Sequence, residues 1–382
     1  MNLSTGLFLF AATPLLLVFA ACNQQNVSQT NQNQNNQSSQ NQNVSLPAQT
    51  ATKESGFVYT ADERGNSISV VDLATNQVQK IPISVSPHNI QVSQDGRLLL
   101  VVGAPATVDG HSHGVKGEEQ GGHDDSGGHG DAGGKLLIFD AAQLNDAPTE
   151  IEIGKHPAHV VIDSQGKFIY ATNSEDDTVS VVDAAEKRQV KTIATGDFPH
   201  GLRMSPDGKE VYIANVNDGT VSVISTAEQK EVARIPVGRA PVQVGFTPDG
   251  KRVYVSLRDE NQVAVIDTAT RQKIASVAVG SQPIQMFATP DGRFVYVANQ
   301  GTEDKPDNTV SVIDTQNNKV VTTITTGKGA HGVVAGSDGK QVFVANTFDD
   351  TVAVIDVAAQ KVVATIPVGD APNGITFRKA SS

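Results

Sequence analysis

From residue 57 to residue 378 apolar and polar positions alternate in short runs, each closed by Gly, Pro, Asp or Asn. Alternation with period two places every second side chain on one face, which is the signature of strands. One run recurs as Phe168-Ile169-Tyr170-Ala171-Thr172-Asn173, Val211-Tyr212-Ile213-Ala214-Asn215, Val253-Tyr254-Val255-Ser256 and Phe294-Val295-Tyr296-Val297-Ala298-Asn299, its tyrosines 42 residues apart. Phe57 to Asp62 and Val342 to Asn346 repeat it, and Leu98 to Val102 is a degenerate copy with Leu100 at the tyrosine position. Turns such as Pro206-Asp207-Gly208 precede the tyrosine run; Gly supplies a positive φ and Asp bonds its own backbone. A second strand like Thr220 to Ile224, a turn like Asp267 to Thr270 and a further strand like Lys273 to Val279 complete each unit. Seven such units predict an all-β fold, a seven-bladed β-propeller of four-stranded blades. Residues 57–83 supply only three strands and Pro372 to Phe377 only one. Pairing of the N- and C-terminal strands would therefore close the ring.

These repeats resemble the YVTN-type family of β-propeller repeats, found in YncE-like exported bacterial lipoproteins. Tyr296-Val297-Ala298-Asn299 and Tyr170-Ala171-Thr172-Asn173 carry the likeness, together with the strand ends at Asp267 and Asp314. The resemblance implies the fold and a binding role. It makes Tyr and Asn scaffold residues, a ring packed between blades and an amide that caps a turn.

The chain before residue 57 reads differently. Residues 1–21 carry no charge and include an apolar run from Leu7 to Ala21, interrupted by Pro14. That run is short for a membrane span and suits a signal peptide. Val18-Phe19-Ala20-Ala21-Cys22 resembles a bacterial lipobox, which implies lipidation of Cys22; an ordinary signal peptide with an incidental cysteine is the alternative. Residues 22–55 are rich in Asn and Gln and read as a disordered tether, since they offer too little apolar surface to offset ordering entropy. The expected organisation is a signal peptide (1–21), a tether (22–55) and a propeller (56–379) with a loop insertion at 104–134. The expected location is the cell envelope, at the periplasmic side of a membrane or the cell surface, with the lipid as sole membrane anchor.

Composition narrows the function. The net charge of −12 argues against a nucleic-acid partner. A single cysteine excludes a disulfide framework, a cysteine zinc finger and CxxCH haem attachment. Neither haem nor a nucleotide is thus expected as a cofactor. No GxSxG, P-loop or HExxH motif is present, so no catalytic residue is assigned.

Histidines are the remaining signal, and they fall in two groups. The insertion holds His111, His113, His123, Asp124 and His129 among glycines. Innermost strands begin with Pro87-His88, Pro157-Ala158-His159, Pro199-His200 and Ala330-His331, which places His88, His159, His200 and His331 round one channel mouth below that loop. Imidazole and carboxylate are ligands for Zn²⁺, and suit Ni²⁺ or Cu²⁺ as well. Acidic turns at Asp176-Asp177, Asp218, Asp259-Glu260, Glu303-Asp304 and Asp349-Asp350 should make the same face attractive to cations. The expected function is binding of a transition metal, Zn²⁺ first, for buffering or for delivery to a metal-transport or other cell-envelope protein. The alternatives are a metal-free propeller binding protein or glycan, and a propeller hydrolase such as a lactonase.

Overall fold

The computed structural model describes residues 55–106 and 133–380. They form seven four-stranded antiparallel sheets and two single-turn 3₁₀ segments, Ser174–Asp176 and Arg258–Glu260. Blade 1 spans residues 85–152, and blades 2, 3 and 4 span 157–194, 199–236 and 241–278. Blades 5 and 6 span 283–325 and 330–367. Blade 7 takes its innermost strand from Pro372–Lys379 and its other three from Gly56–Asp62, Ser67–Asp72 and Val78–Pro82. Phe57 pairs with Arg378 and Tyr59 with Thr376, so both ends of the chain close the ring as the strand count predicts.

The tyrosine strand is second in its blade. Tyr59, Tyr170, Tyr212, Tyr254 and Tyr296 are fully buried, with Phe343 at the same position in blade 6 and Leu100 in blade 1. Burying a ring of this size contributes roughly 1.5–3 kcal/mol. The apolar clusters each span two neighbouring blades: Tyr212 with Val244 and Val255, Tyr254 with Met286 and Val297. Blade-to-blade packing is therefore the core.

The asparagine ending this strand has a fixed task. In blades 2, 3 and 5 its Nδ2 donates to a Thr and a Ser hydroxyl of the third strand, as Asn215 does to Thr220 (2.9 Å) and Ser222 (2.8 Å). A glycine from the loop that enters the same blade lies against this side chain. A Cβ on Gly196 would stand 2.5 Å from Asn215 Nδ2.

One irregularity recurs in all seven blades. The ladder between innermost and second strands slips near the start of the innermost strand, between Pro87 and Asn89, Pro157 and Val160, or Pro199 and Leu202. Such a bulge re-aims side chains. Here it turns two successive residues of each blade toward the channel.

Candidate functional site

The residues that follow Pro87, Pro157, Pro199, Pro241, Pro283, Ala330 and Pro372 in the innermost strands form the rim: His88, Ala158, His200, Val242, Ile284, His331 and Asn373. His88 and His200 stand on blades 1 and 3. Between them blade 2 offers only the methyl of Ala158, too small to separate them, and their Nε2 atoms are 3.1 Å apart. His159 is the next residue on that strand, so its ring lies one level deeper, centred 5.9 Å from His88 and 5.1 Å from His200. One ligand nitrogen from each of the three lies within 4.8 Å of the others. Of the four histidines expected at the mouth, three thus converge. His331 is on the rim but outside this cluster. His111, His113, His123, Asp124, His129 and Cys22 lie outside the described residues.

Each rim ring is held by its outer nitrogen. His200 Nδ1 faces the Val242 carbonyl at 3.1 Å, and His331 Nδ1 repeats this on the Asn373 carbonyl at 3.0 Å. Facing a carbonyl, Nδ1 must carry the hydrogen, which leaves Nε2 as the lone-pair atom. His88 Nδ1 faces Glu63 Oε1 at 3.2 Å, and Asn373 Nδ2 donates to the other oxygen of Glu63. A carboxylate behind an imidazole is the arrangement that orients metal-binding histidines. Two Nε2 atoms at 3.1 Å also need something between them, a proton in the metal-free protein or an ion in the loaded one.

His159 is fully buried and its Nε2 has no hydrogen-bond partner. Burial, then the nearby charges of His200 and Arg203, hold its pKa well below the usual imidazole value, so it is neutral and available as a ligand. A tetrahedral site with metal–nitrogen bonds of about 2.05 Å spaces its nitrogens ~3.3 Å apart. The His88–His200 pair already matches that spacing, while His159 must move inward. It must also exchange tautomer: Gln243 Nε2 lies 3.2 Å from His159 Nδ1, and turning this amide end for end would let Oε1 accept there. With those adjustments the three donors fit a transition-metal ion and leave a coordination position open.

Above the cluster lies a cavity of about 680 Å³. Phe198, Val216, Ile284 and Phe348 give it apolar walls; Glu63, Arg64, Arg258 and Glu303 give it a charged edge. Arg64 on blade 7 reaches Glu303 on blade 5 at 3.3 Å.

Two findings change the reading of this face. Most acidic turns have structural work: Asp176, Asp218, Glu260 and Asp349 accept backbone N–H groups of the linker that arrives from the preceding blade, from Lys155, Asp197, Arg239 and Lys328. Asp177 and Asp350 accept from Phe198 and Ala371 at the entry to the next blade, both held at positive φ just before the innermost strand. These carboxylates brace adjacent blades, so the cation-attracting face expected from sequence is largely spoken for. Glu63, by contrast, escaped sequence reasoning. Its only signal was Asp62-Glu63 at the place where blades 2, 3, 5 and 6 have Asn followed by Ser, Val, Gln or Thr.

The family model of the YNCE-like beta-propeller matches residues 158–258. The model of the cytochrome D1 heme domain matches residues 253–379. No curated protein matches the chain. Among solved structures, the periplasmic gluconolactonase PpgL of Pseudomonas aeruginosa is 19% identical, with a TM-score of 0.66 over 84% of this chain and 98% of that one. A chain of Kuenenia stuttgartiensis hydrazine synthase is 21% identical, with a TM-score of 0.61 over 77% of this chain and 96% of that one. The dihydro-heme d1 dehydrogenase NirN is 14% identical, with a TM-score of 0.58 over 87% and 77%. These likenesses show the fold. The D1 match and the NirN likeness also overturn the cofactor expectation of Zn²⁺ with haem excluded. Lack of CxxCH rules out covalent attachment only, and a tetrapyrrole held by packing and one axial imidazole needs no cysteine. Among the described residues no helix is long and apolar enough to cross a membrane. The repeats and the closed ring agree: the chain is a seven-bladed β-propeller, and residues 158–258 of it are similar to the YNCE-like beta-propeller family.

Proposed function

We propose that the protein is a metal-binding propeller of the cell envelope, its mouth taking a late first-row transition-metal ion on His88, His159 and His200. The observation that carries this is the approach of three imidazole nitrogens to within 4.8 Å, one of them buried without a partner. Glu63 orients His88 from behind. The loop residues His111, His113, His123, Asp124 and His129 would act as a weaker collector, since the glycines among them raise the entropy that binding must offset. The leader and Cys22 fit export and lipid anchoring, and a cell-envelope metal-transport protein fits as recipient. Replacing Cys22 by Ser should release or stall the precursor; processing and retention like wild type would remove the anchor.

The test is titration of chelator-treated protein with Co²⁺ and Cu²⁺, read by visible absorption. Protein lacking residues 109–131 should keep one tight site, and His88→Ala with His200→Ala should lose it. Glu63→Gln should weaken it by about 10- to 100-fold, the range for a partner behind a ligand. Absence of any saturable site in wild type would end this reading.

A second reading rests on the D1 heme domain match. A haem-type tetrapyrrole would lie in the mouth cavity against Phe198 and Phe348, its carboxylates near Arg64 and Arg258 and one rim imidazole on its metal. Haemin added to apo-protein should then give a shifted Soret band that is lost in His200→Ala or His331→Ala. Hydrolysis of a lactone, the activity in the name of the gluconolactonase PpgL, is not favoured here. The innermost strands carry no Asp or Glu to hold a hard cation such as Ca²⁺.

A further inference from the structure

Beneath the imidazoles the channel carries fixed charge of one sign. None of the seven innermost strands contains Asp or Glu, whereas the fifth residue of the blade 3 strand is Arg203. Its guanidinium donates to the Leu202 carbonyl (Nη1–O 3.0 Å), one bond for a group with five N–H donors. Burial pulls its pKa down to about 10, and no neighbouring carboxylate offsets that shift. Its charge also lowers the pKa of His159.

The third residues of the innermost strands lie between Arg203 and the rim. Gln243 reaches from blade 4 to His159 on blade 2, across the channel, which shows that this level faces the axis. Gln285 holds the equivalent position in blade 5. It is 1% exposed, and neither its Nε2 nor its Oε1 has a partner. An amide left unpaired at that depth is an unmet demand for a hydrogen-bond partner. Its level also contains His159 Nε2, the nitrogen that bears hydrogen while Gln243 donates to Nδ1.

We propose that this level of the channel is a binding site for a small oxyanion, of the size of nitrite, nitrate or bicarbonate. Arg203 supplies the charge and a forked pair of donors. The Gln285 amide and His159 Nε2–H supply oriented neutral donors, and neither has another partner. The site uses the metal-free protein and stands apart from the reading of the mouth. With an ion bound, His159 would leave the anion to Arg203 and Gln285.

The experiment is calorimetric titration of chelator-treated full-length protein with nitrate, nitrite and bicarbonate at constant ionic strength. Crystals soaked in bromide would locate the anion by anomalous scattering. Wild type should show one saturable site, with bromide between Arg203 and Gln285. Gln285→Leu, nearly the same volume, should weaken binding about tenfold, the effect of one hydrogen bond to a charged group. Arg203→Met should abolish it and Arg203→Lys keep part of it, while Arg188→Met on an outer strand should leave it unchanged. If Arg203→Met fails to fold, Gln285→Leu still decides. Equal binding in wild type and Gln285→Leu, or no saturable binding of any of the three anions, overturns the proposal. Neither result bears on metal uptake, which is read separately by absorption.

Discussion

Blade 7 and blade 3 bury the same kind of turn with opposite chemistry. In blade 3 Asn215 donates from its amide to Thr220 and Ser222. In blade 7 the equivalent residue is Asp62, fully buried, and the hydroxyls reverse: Thr60, Ser67 and Ser69 all donate to the carboxylate. Ser69 in turn accepts from Gly369 N at 2.9 Å, on the loop that leads into the C-terminal strand. Blade 3 is continuous chain, while blade 7 is assembled from segments 300 residues apart. The comparison suggests that the closing blade has traded a neutral, pH-independent clamp for a charged one at the place where the ring is joined.

The largest effect should come from the join itself. Deleting residues 372–379 removes the innermost strand of blade 7 and strips cover from Tyr59 and the cluster around Val58 and Phe343. We expect a cooperative loss of more than about 5 kcal/mol, comparable with the whole margin of an ordinary domain. Thermal unfolding followed by circular dichroism checks this, and an unchanged midpoint would show that blade 7 is not the clasp.

Next in size, cysteines at the paired residues Phe57 and Arg378, in a Cys22→Ser background, should stabilise the oxidised protein by about 2–4 kcal/mol. A cysteine pair at Glu210 and Ser225 in blade 3 closes a much shorter loop and should give less. Equal gains would mean that the termini are no looser than an internal hairpin.

Asp62→Asn should stabilise by roughly 1 kcal/mol at neutral pH, the scale of one buried polar group. Burial raises the Asp62 pKa despite its three hydroxyl donors. Its folded-state value therefore lies above its unfolded value. Its favourable contribution is complete below the unfolded value and is lost as pH rises through the folded one. Wild type and variant should thus converge in acid and separate toward neutrality in denaturant titrations. Parallel curves at every pH would remove the charged clamp from the account.

The smallest contrast lies in the tyrosines. Tyr254 donates its hydroxyl to Asn318 at 2.7 Å, whereas the Tyr59 hydroxyl has no hydrogen-bond partner. Tyr254→Phe should cost about 0.5–1.5 kcal/mol and Tyr59→Phe close to nothing.

Much of this architecture is written locally. A tyrosine every 42 residues and a Pro-Asp-Gly turn before it are strand and turn chemistry acting within a few residues, so blade number and closure were readable. The rim was readable too, because Pro-His at a strand start fixes position along the channel. What the sequence hid were contacts across the channel. That His88 and His200 touch depends on the small Ala158 between them and on bulges that no pattern of alternation reveals. The depth of His159, the carboxylate of Glu63 behind His88, and Gln285 facing the axis all arise from side chains far apart in sequence. The acidic turns erred in the other direction: counted as charge, they prove to be acceptors for the backbone of the linkers between blades.

The direction of the strands also fixes how the molecule can be held. Innermost strands start at the mouth, and second strands run back toward it; Glu63, just past the strand Gly56–Asp62, borders the mouth cavity. Gly56 and its partner Lys379 therefore lie together at the opposite face. A linker, label or solid support attached through either end would present the imidazole rim outward to whatever approaches.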